Sequence, residues 1–298
     1  MRIAVTGSSG LIGSALVPHL RAAGHEVQRV VRRAAAAPDE ITWDPAKGTI
    51  DLAALNGVDG VVHLAGAGVG DHRWSDDYKR EILDSRIDST NTIVRAMQQV
   101  EHRPRVLVSA SAIGWYGDTG DRIVDETAPA GTGFLADVVR AWEGASQVAV
   151  ASGIRVVNPR TGLVVAKSGG AWARMFPLFK LGLGGKLGNG KQYWSWISLR
   201  DEVCALQFLL EQDHMNGAVN LTAPNPVTNA EVTKVMGKVL GRPTLLPAPA
   251  FALKTALGEF STEVLGSARV VPAVLEQAQF RFQDTTIESA IRTALDSE

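Results

Sequence analysis

The chain has 298 residues, 45% hydrophobic and 20% charged, with a formal net charge of −1. No basic stripe points to nucleic acid and no acidic run reads as a tail. Cys204 is the only cysteine, which excludes an internal disulfide, and the N-terminal apolar run is too short to span a membrane or act as a signal peptide, so a cytoplasmic protein is expected.

Residues 2–7, RIAVTG, read as a first strand, and 11–24 as a helix that ends at a glycine. Residues 26–32, EVQRVVR, form a second strand, and 57–66, GVDGVVHLAG, a turn and a third. Residues 75–100 make one long helix or two, and 105–117, RVLVSASAIGWYG, a strand running into a loop. In 131–146, GTGFLADVVRAWEGAS, the apolar residues Phe134, Leu135, Val138, Val139 and Trp142 recur at helical spacing. Residues 153–165, GIRVVNPRTGLVV, read as the next strand. Strands alternating with helices predict an α/β fold, a Rossmann-type doubly wound parallel sheet. It should span residues 1–165, with later segments at about 196–225 contributing. The rhythm loosens after residue 165. Residues 166–298 are expected to build an interleaved, smaller α/β substrate lobe, with a distinct C-terminal segment at about 245–298.

The stretch 6–13, TGSSGLIG, follows a strand and opens a helix, which is the context a dinucleotide-binding turn requires. Gly7 permits the tight turn, Gly10 lets the backbone approach a pyrophosphate at the helix N-terminus, and Gly13 allows close helix–strand packing. Thr6, Gly7, Ser9, Gly10, Leu11, Ile12 and Gly13 form the expected contact set. Strand two ends in Arg32 and Arg33, where an NAD site would usually place an acid for the ribose 2′-hydroxyl. Two guanidinium groups suit a 2′-phosphate, which predicts NADP(H), with NAD(H) second; the plainer reading is two solvated arginines. Leu64, Ala65 and Gly66 are small enough for adenosine to lie against the backbone, and His63 reads as a core residue.

Residues 185–192, GKLGNGKQ, nearly spell a P-loop, but Gln192 stands where magnesium needs Ser or Thr, and YWSWI after it reads as a strand. Lys186 or Lys191 could face an anionic group, or the segment is a plain turn. Trp172, Phe176, Trp194 and Trp196 either floor a pocket or pack a core, the commoner use. No cluster has metal-ligand spacing, and the glycosylation sequon at Asn220 is taken as a chance match.

With TGSSGLIG at 6–13, HLAG at 63–66, SASAIGWYG at 109–117, PRTGLVV at 159–165 and WISLRDEV at 196–203, the chain resembles the extended short-chain dehydrogenase/reductases, which include nucleotide-sugar epimerases and dehydratases. SASAIGWYGD, FLADVVRAWE, GNGKQYWSWI and GSARVVPAVLEQAQFRF at 266–282 are similar to an uncharacterised epimerase-family subgroup with its own C-terminal domain. The resemblance implies hydride transfer at a nicotinamide, with a Tyr handling the proton, a Lys one turn later, and a Ser on the preceding strand. Ser111 matches the Ser, and Ser109 and Arg160 fall on the cofactor side. Aligning Trp142 and Glu143 puts the Tyr slot at Leu135 and the Lys slot at Val139, neither of which transfers a proton. Tyr116 is the candidate substitute donor; Asp118 and Glu126 read as solvated loop carboxylates, and Lys79, Arg86, Arg140 and Tyr193 have no partner readable from sequence. The expectation is an NADP(H)-binding oxidoreductase or epimerase acting on an unknown small molecule, a nucleotide sugar among the candidates. An inactive NADP(H)-binding sensor or scaffold is the alternative. The resemblance also implies a homodimer through the helices at 75–99 and 134–151.

Overall fold

The computed structural model describes residues 1–296. Its first half lays down β1 (Arg2–Thr6), α1 (Leu11–Ala22), β2 (Glu26–Val31), β3 (Glu40–Asp44), β4 (Thr49–Ile50), α2 (Leu52–Leu55), β5 (Gly60–His63), α3 (Asp76–Gln99), β6 (Val106–Ser109), β7 (Ser111–Ala112), β8 (Ile123–Val124), α4 (Phe134–Gln147) and β9 (Arg155–Thr161). The remainder adds β10 (Leu163–Val165), α5 (Gly170–Lys180), β11 (Tyr193–Trp194), β12 (Trp196–Ser198), α6 (Leu199–Glu211), β13 (Gly217–Leu221), β14 (Val227–Thr228), α7 (Asn229–Leu240), α8 (Ala250–Leu257), α9 (Ser261–Leu265), β15 (Arg269–Val270), α10 (Ala273–Gln277) and α11 (Ile287–Asp296).

Nine strands form the main sheet in the order β13-β9-β6-β5-β1-β2-β3-β4, with β7 pairing with β9. Every pairing is parallel except β3 with β4. The sequence reading passed over β3 and β4. Strand β3, EITWD, does alternate polar and apolar residues, but over only five positions, and β4 has two residues, too few for a period-2 signal. The stretch 75–100 is one unbroken helix, α3, capped by Ser75, whose side chain accepts from the Tyr78 amide.

Alternation along the strands sends side chains to opposite faces. Ile3, Val5, Val62 and Val108 pack with Leu16, Leu20, Leu206 and Leu209 of α1 and α6. Ala4, Val61, Leu107 and Val156 pack on the other face with Ile93 and Met97 of α3. Each such buried Val, Leu, Ile or Met side chain contributes about 1.5–3 kcal/mol over exposure. A separate core gathers Trp172, Phe176, Phe179, Trp194, Trp196, Val232, Met236 and Ile291. These tryptophans therefore fill that core and floor no open pocket. The segment at 185–192 is a loop leading into β11, as its failed P-loop pattern predicts. Among the described residues no helix is long and apolar enough to cross a membrane.

Strand β1 lies between β2 and β5, so the chain leaves it in opposite directions. In a doubly wound sheet that reversal opens a crevice beyond the carboxyl ends of the two strands. The turn at residues 7–10 and the loop after His63 both sit there.

Candidate cofactor and active site

The turn after β1 is built around two glycines that nothing else could replace. Gly7 has φ of +63°, and a Cβ on it would lie 2.9 Å from the Leu64 carbonyl carbon. A Cβ on Gly13 would overlap the Gly7 carbonyl oxygen and come within 2.8 Å of Ser8 Cα. These contacts draw α1, β1 and the loop after β5 together. Gly10 caps α1 without any side-chain acceptor, and no acid stands in the first turn. The amides of Leu11, Ile12 and Gly13 make no hydrogen bond within the described residues. Ser9 and Gly10 are exposed, and Leu11 and Ile12 half-buried. Unfilled amides at a positive helix terminus, under an exposed glycine turn, fit a pyrophosphate.

Thr6 departs from its expected role. Its hydroxyl is fully buried and accepts from the amides of Leu64 (3.0 Å) and Ala65 (3.2 Å). Its remaining proton goes to His63 Nδ1 at 2.8 Å. Thr6 thus fastens the two crevice strands and leaves no side-chain group for a ligand. His63 is the core residue expected: fully buried, with Nε2 near Thr90 (3.1 Å) and Ser89 (3.2 Å) hydroxyls. Burial pushes its pKa down to about 3, so the ring is neutral.

At the end of β2 the two arginines part company. Arg32 is exposed and has no hydrogen-bond or ion-pair partner among the described residues. Arg33 is not a free second clamp. Its Nη1 and Nη2 donate to Glu40 at 2.7 and 2.6 Å. Glu40 also pairs with Arg29 (2.9 Å) and accepts from the Ala36 amide (2.8 Å). The Arg33 guanidinium and the Ala36 amide hold the Glu40 carboxyl down to about 2.

On the other side of the crevice, the expected catalytic groups are joined to one another. Ser111 Oγ donates to Glu143 Oε1 at 2.6 Å. Arg160 Nε and Nη2 donate to the two oxygens of the same carboxylate at 2.8 and 3.0 Å. Arg160 Nη1 donates to Tyr116 Oη at 3.0 Å, and Tyr116 Oη donates to Asn220 Oδ1 at 2.8 Å. Asn220 passes the network to the C-terminal segment through Val271 O (2.9 Å), and its own amide donates to Glu126 Oε1 at 2.9 Å. Ser111, Tyr116, Glu143 and Arg160 are each less than a tenth exposed.

Four expectations change with this network. Tyr116 does not open onto a cleft; its proton is committed to Asn220, and burial pushes the phenol up. Arg160 is held in an ion pair with Glu143. Ser109 is wholly buried, and its Oγ finds no partner among the described residues. Glu126 is not a solvated carboxylate: it takes amides from Asn220 and Val274, and burial raises its pKa. Asn220 is fully buried, which makes its sequon a chance match. Ser111 opens β7, just past the end of β6, but can only accept, because its proton already points at Glu143.

Helix α4 presents Leu135 and Val139 to the turn at 113–116: a Cβ on Gly114 would lie 3.3 Å from Leu135 Cβ and 3.8 Å from Val139 Cγ2. Phe134 meets Trp74 edge-on with centroids 4.9 Å apart, and Trp74 meets Phe260 at 5.5 Å. Lys79 pairs with Glu259 at 2.6 Å, Arg140 with Asp137, and Arg269 lies 4.4 Å above the Tyr193 ring. Lys79 and Arg140 are therefore ion-paired, and the Tyr193 contact is to its ring. Asp118 is exposed, as expected. Glu40 and Glu143, the carboxylates that organise the two sides, were not singled out as functional from sequence. Glu143 entered only as an alignment marker, and no local pattern separates such residues from solvated acids.

A model of the NAD dependent epimerase/dehydratase family matches residues 3–222, and a domain of unknown function, DUF1731, matches residues 248–294. The epimerase family protein Mb2239 of Mycobacterium bovis is 49% identical over 290 residues, covering 97% of this chain and 96% of its own. The chloroplastic SDR39U1 homolog of Arabidopsis thaliana is 39% identical over 306 residues, covering 99% and 87%. The crystal structure of human epimerase family protein SDR39U1 with NADPH superposes with a TM-score of 0.92 at 30% identity, over 100% of both chains. On the glycine turn, the sheet order and these matches together, the chain belongs to the NAD dependent epimerase/dehydratase family.

Proposed function

We propose that the protein binds NADP(H) across the β1–β5 switch point and carries out hydride transfer on a small-molecule substrate, in a reductase- or epimerase-type reaction. The observation that carries this reading is the combination of unfilled α1 amides with an unpaired Arg32 at the end of β2. NADPH in the crystal structure of the human SDR39U1 relative supports the choice of dinucleotide. Gly7, Ser9, Gly10, Leu11, Ile12 and Gly13 would hold the pyrophosphate, Leu64 and Ala65 would lie against the adenosine, Gly66 against the span leading to the nicotinamide half, and Arg32 would take the 2′-phosphate. The bound cofactor supplies or takes the hydride.

The chain's own contribution on the substrate side is shape and dryness. Leu135 and Val139 keep the face apolar, and Ser111, held by Glu143, accepts from a substrate hydroxyl. The proton itself comes from water, since the side chains expected to give it are committed elsewhere.

The test is a titration with NADPH and NADH, followed by a carbonyl screen read at the reduced-cofactor absorbance. Arg32→Ala should weaken NADPH roughly ten- to a hundred-fold, the loss of a charge-assisted contact, and leave NADH unchanged. Equal wild-type affinities for the two cofactors would sink the NADP(H) reading. Tight NADPH binding with no oxidation across the screen would sink hydride transfer.

A further inference from the structure

Arg86 sits where α3 crosses α4, directly under the Gly66 turn. Its Nη1 donates to Ala67 O (3.0 Å) and Ile82 O (2.9 Å), and its guanidinium carbon lies 4.9 Å from the centre of the Trp142 ring. A Cβ on Gly66 would come within 3.3 Å of that carbon. The loop on one side and the indole on the other fix the cation in one place. No carboxylate pairs with it among the described residues, and its Nε and Nη2 make no hydrogen bond there. Burial pushes its pKa down to about 10, which leaves it charged at neutral pH. The guanidinium is half-buried without a counter-charge, and its unfilled donor edge, open to solvent, is the edge left for a ligand.

Topology says which part of a ligand that is. A dinucleotide straddles the point where strand order reverses. Arg32 ends β2, on one side of β1; Arg86 backs the loop after β5, on the other. We propose that Arg86 binds the nicotinamide half of the dinucleotide, donating from Nε and Nη2 to its oxygens, with Trp142 as the residue that positions it. The proposal rests on the NADP(H) reading above and assigns the second cationic contact of the site to α3.

Calorimetric titration of wild type, Arg86→Gln and Arg86→Lys with NADPH and with adenosine 2′,5′-bisphosphate tests it. The bisphosphate carries the adenosine and 2′-phosphate but lacks the nicotinamide half. Arg86→Gln should weaken NADPH roughly ten- to a hundred-fold, with the bisphosphate unchanged. Arg86→Lys, which keeps the charge but not the fork, should fall between. Equal weakening of both ligands would overturn the proposal, because Arg86 would then only hold the loop; so would unchanged NADPH affinity. If Arg86→Gln does not fold, the same two outcomes are read on Arg86→Lys. Failure of the cofactor reading looks different: Arg32→Ala would leave both ligands unchanged, or wild type would bind neither and overturn both.

Discussion

The two sides of the crevice treat their polar groups in opposite ways. Around α1 and β2, amides and the Arg32 guanidinium are left without internal partners. Around α4 and β9, Ser111, Tyr116 and Arg160 all find theirs inside the protein. Buried polar groups that satisfy one another rigidify a fold and have little left for a ligand. Groups left open at a helix terminus are ready for an anion. The first side therefore reads as a binding site and the second as a strut between the sheet and the C-terminal segment. What was expected to be catalytic machinery has become part of the frame, apart from the acceptor lone pairs of Ser111.

The comparison breaks most easily at Glu143. Its carboxylate holds Ser111 and the Nε and Nη2 groups of Arg160, and the ion pair has side chains 11% and 4% exposed. Glu143→Ala leaves a buried guanidinium without its counter-charge, which costs about 3–5 kcal/mol. Denaturant unfolding at neutral pH should show that loss. A variant within about 0.5 kcal/mol of wild type, the range of an ordinary surface substitution, would mean the network is no strut.

The open side was the legible one. A glycine turn declares itself in sequence because backbone geometry permits no substitute at Gly7 or Gly13. The sheet was equally readable from β1 to β9, where apolar runs and helical stripes alternate, but the short β3 and β4 were not. The locked side was misread because pairing is a property of three dimensions. Arg160 lies 17 residues from Glu143, and Tyr116 lies 104 from Asn220. Nothing local told a half-buried, amide-bonded Glu126 from a solvated one, or a tethered Arg33 from the free Arg32 beside it. Leu135 and Val139 were informative for the opposite reason. Their side chains cannot carry the chemistry whatever surrounds them.

One member of the locked side is not fully satisfied. Glu202, on α6, is completely buried; its Oε1 takes the Thr161 hydroxyl at 2.8 Å and its Oε2 has no partner. Burial pushes its pKa up to about 8. The folded protein therefore keeps a proton that the unfolded chain releases at an ordinary carboxylate pKa of 4.5. The resulting stability is complete below that value and declines as pH rises through the interval to about 8. Glu202→Gln has no proton to lose. Its stability relative to wild type should improve between about pH 5 and 8, by an amount on the order of a few kcal/mol. Parallel curves for the two proteins over that range would show that Glu202 stays ionised through a partner or water.

The smallest effect concerns the open side's own exception, Arg33. Glu40 draws Arg33 back onto β3, and the depressed carboxyl gives the sign of the pH dependence. Its pKa falls from 4.5 to about 2 on folding, so its stabilisation is present above 4.5 and disappears as pH falls towards 2. Glu40→Gln should lower the denaturant midpoint slightly at neutral pH, and the difference should vanish in acid. The same substitution separates two roles for Arg33. If the guanidinium is merely held away from the ligand, releasing it and deleting a nearby negative charge should tighten NADPH several-fold and leave NADH unchanged. Weaker NADPH binding would instead make Arg33 a strut that shapes the loop beside Arg32, and would extend the locked character of the α4 side across the crevice.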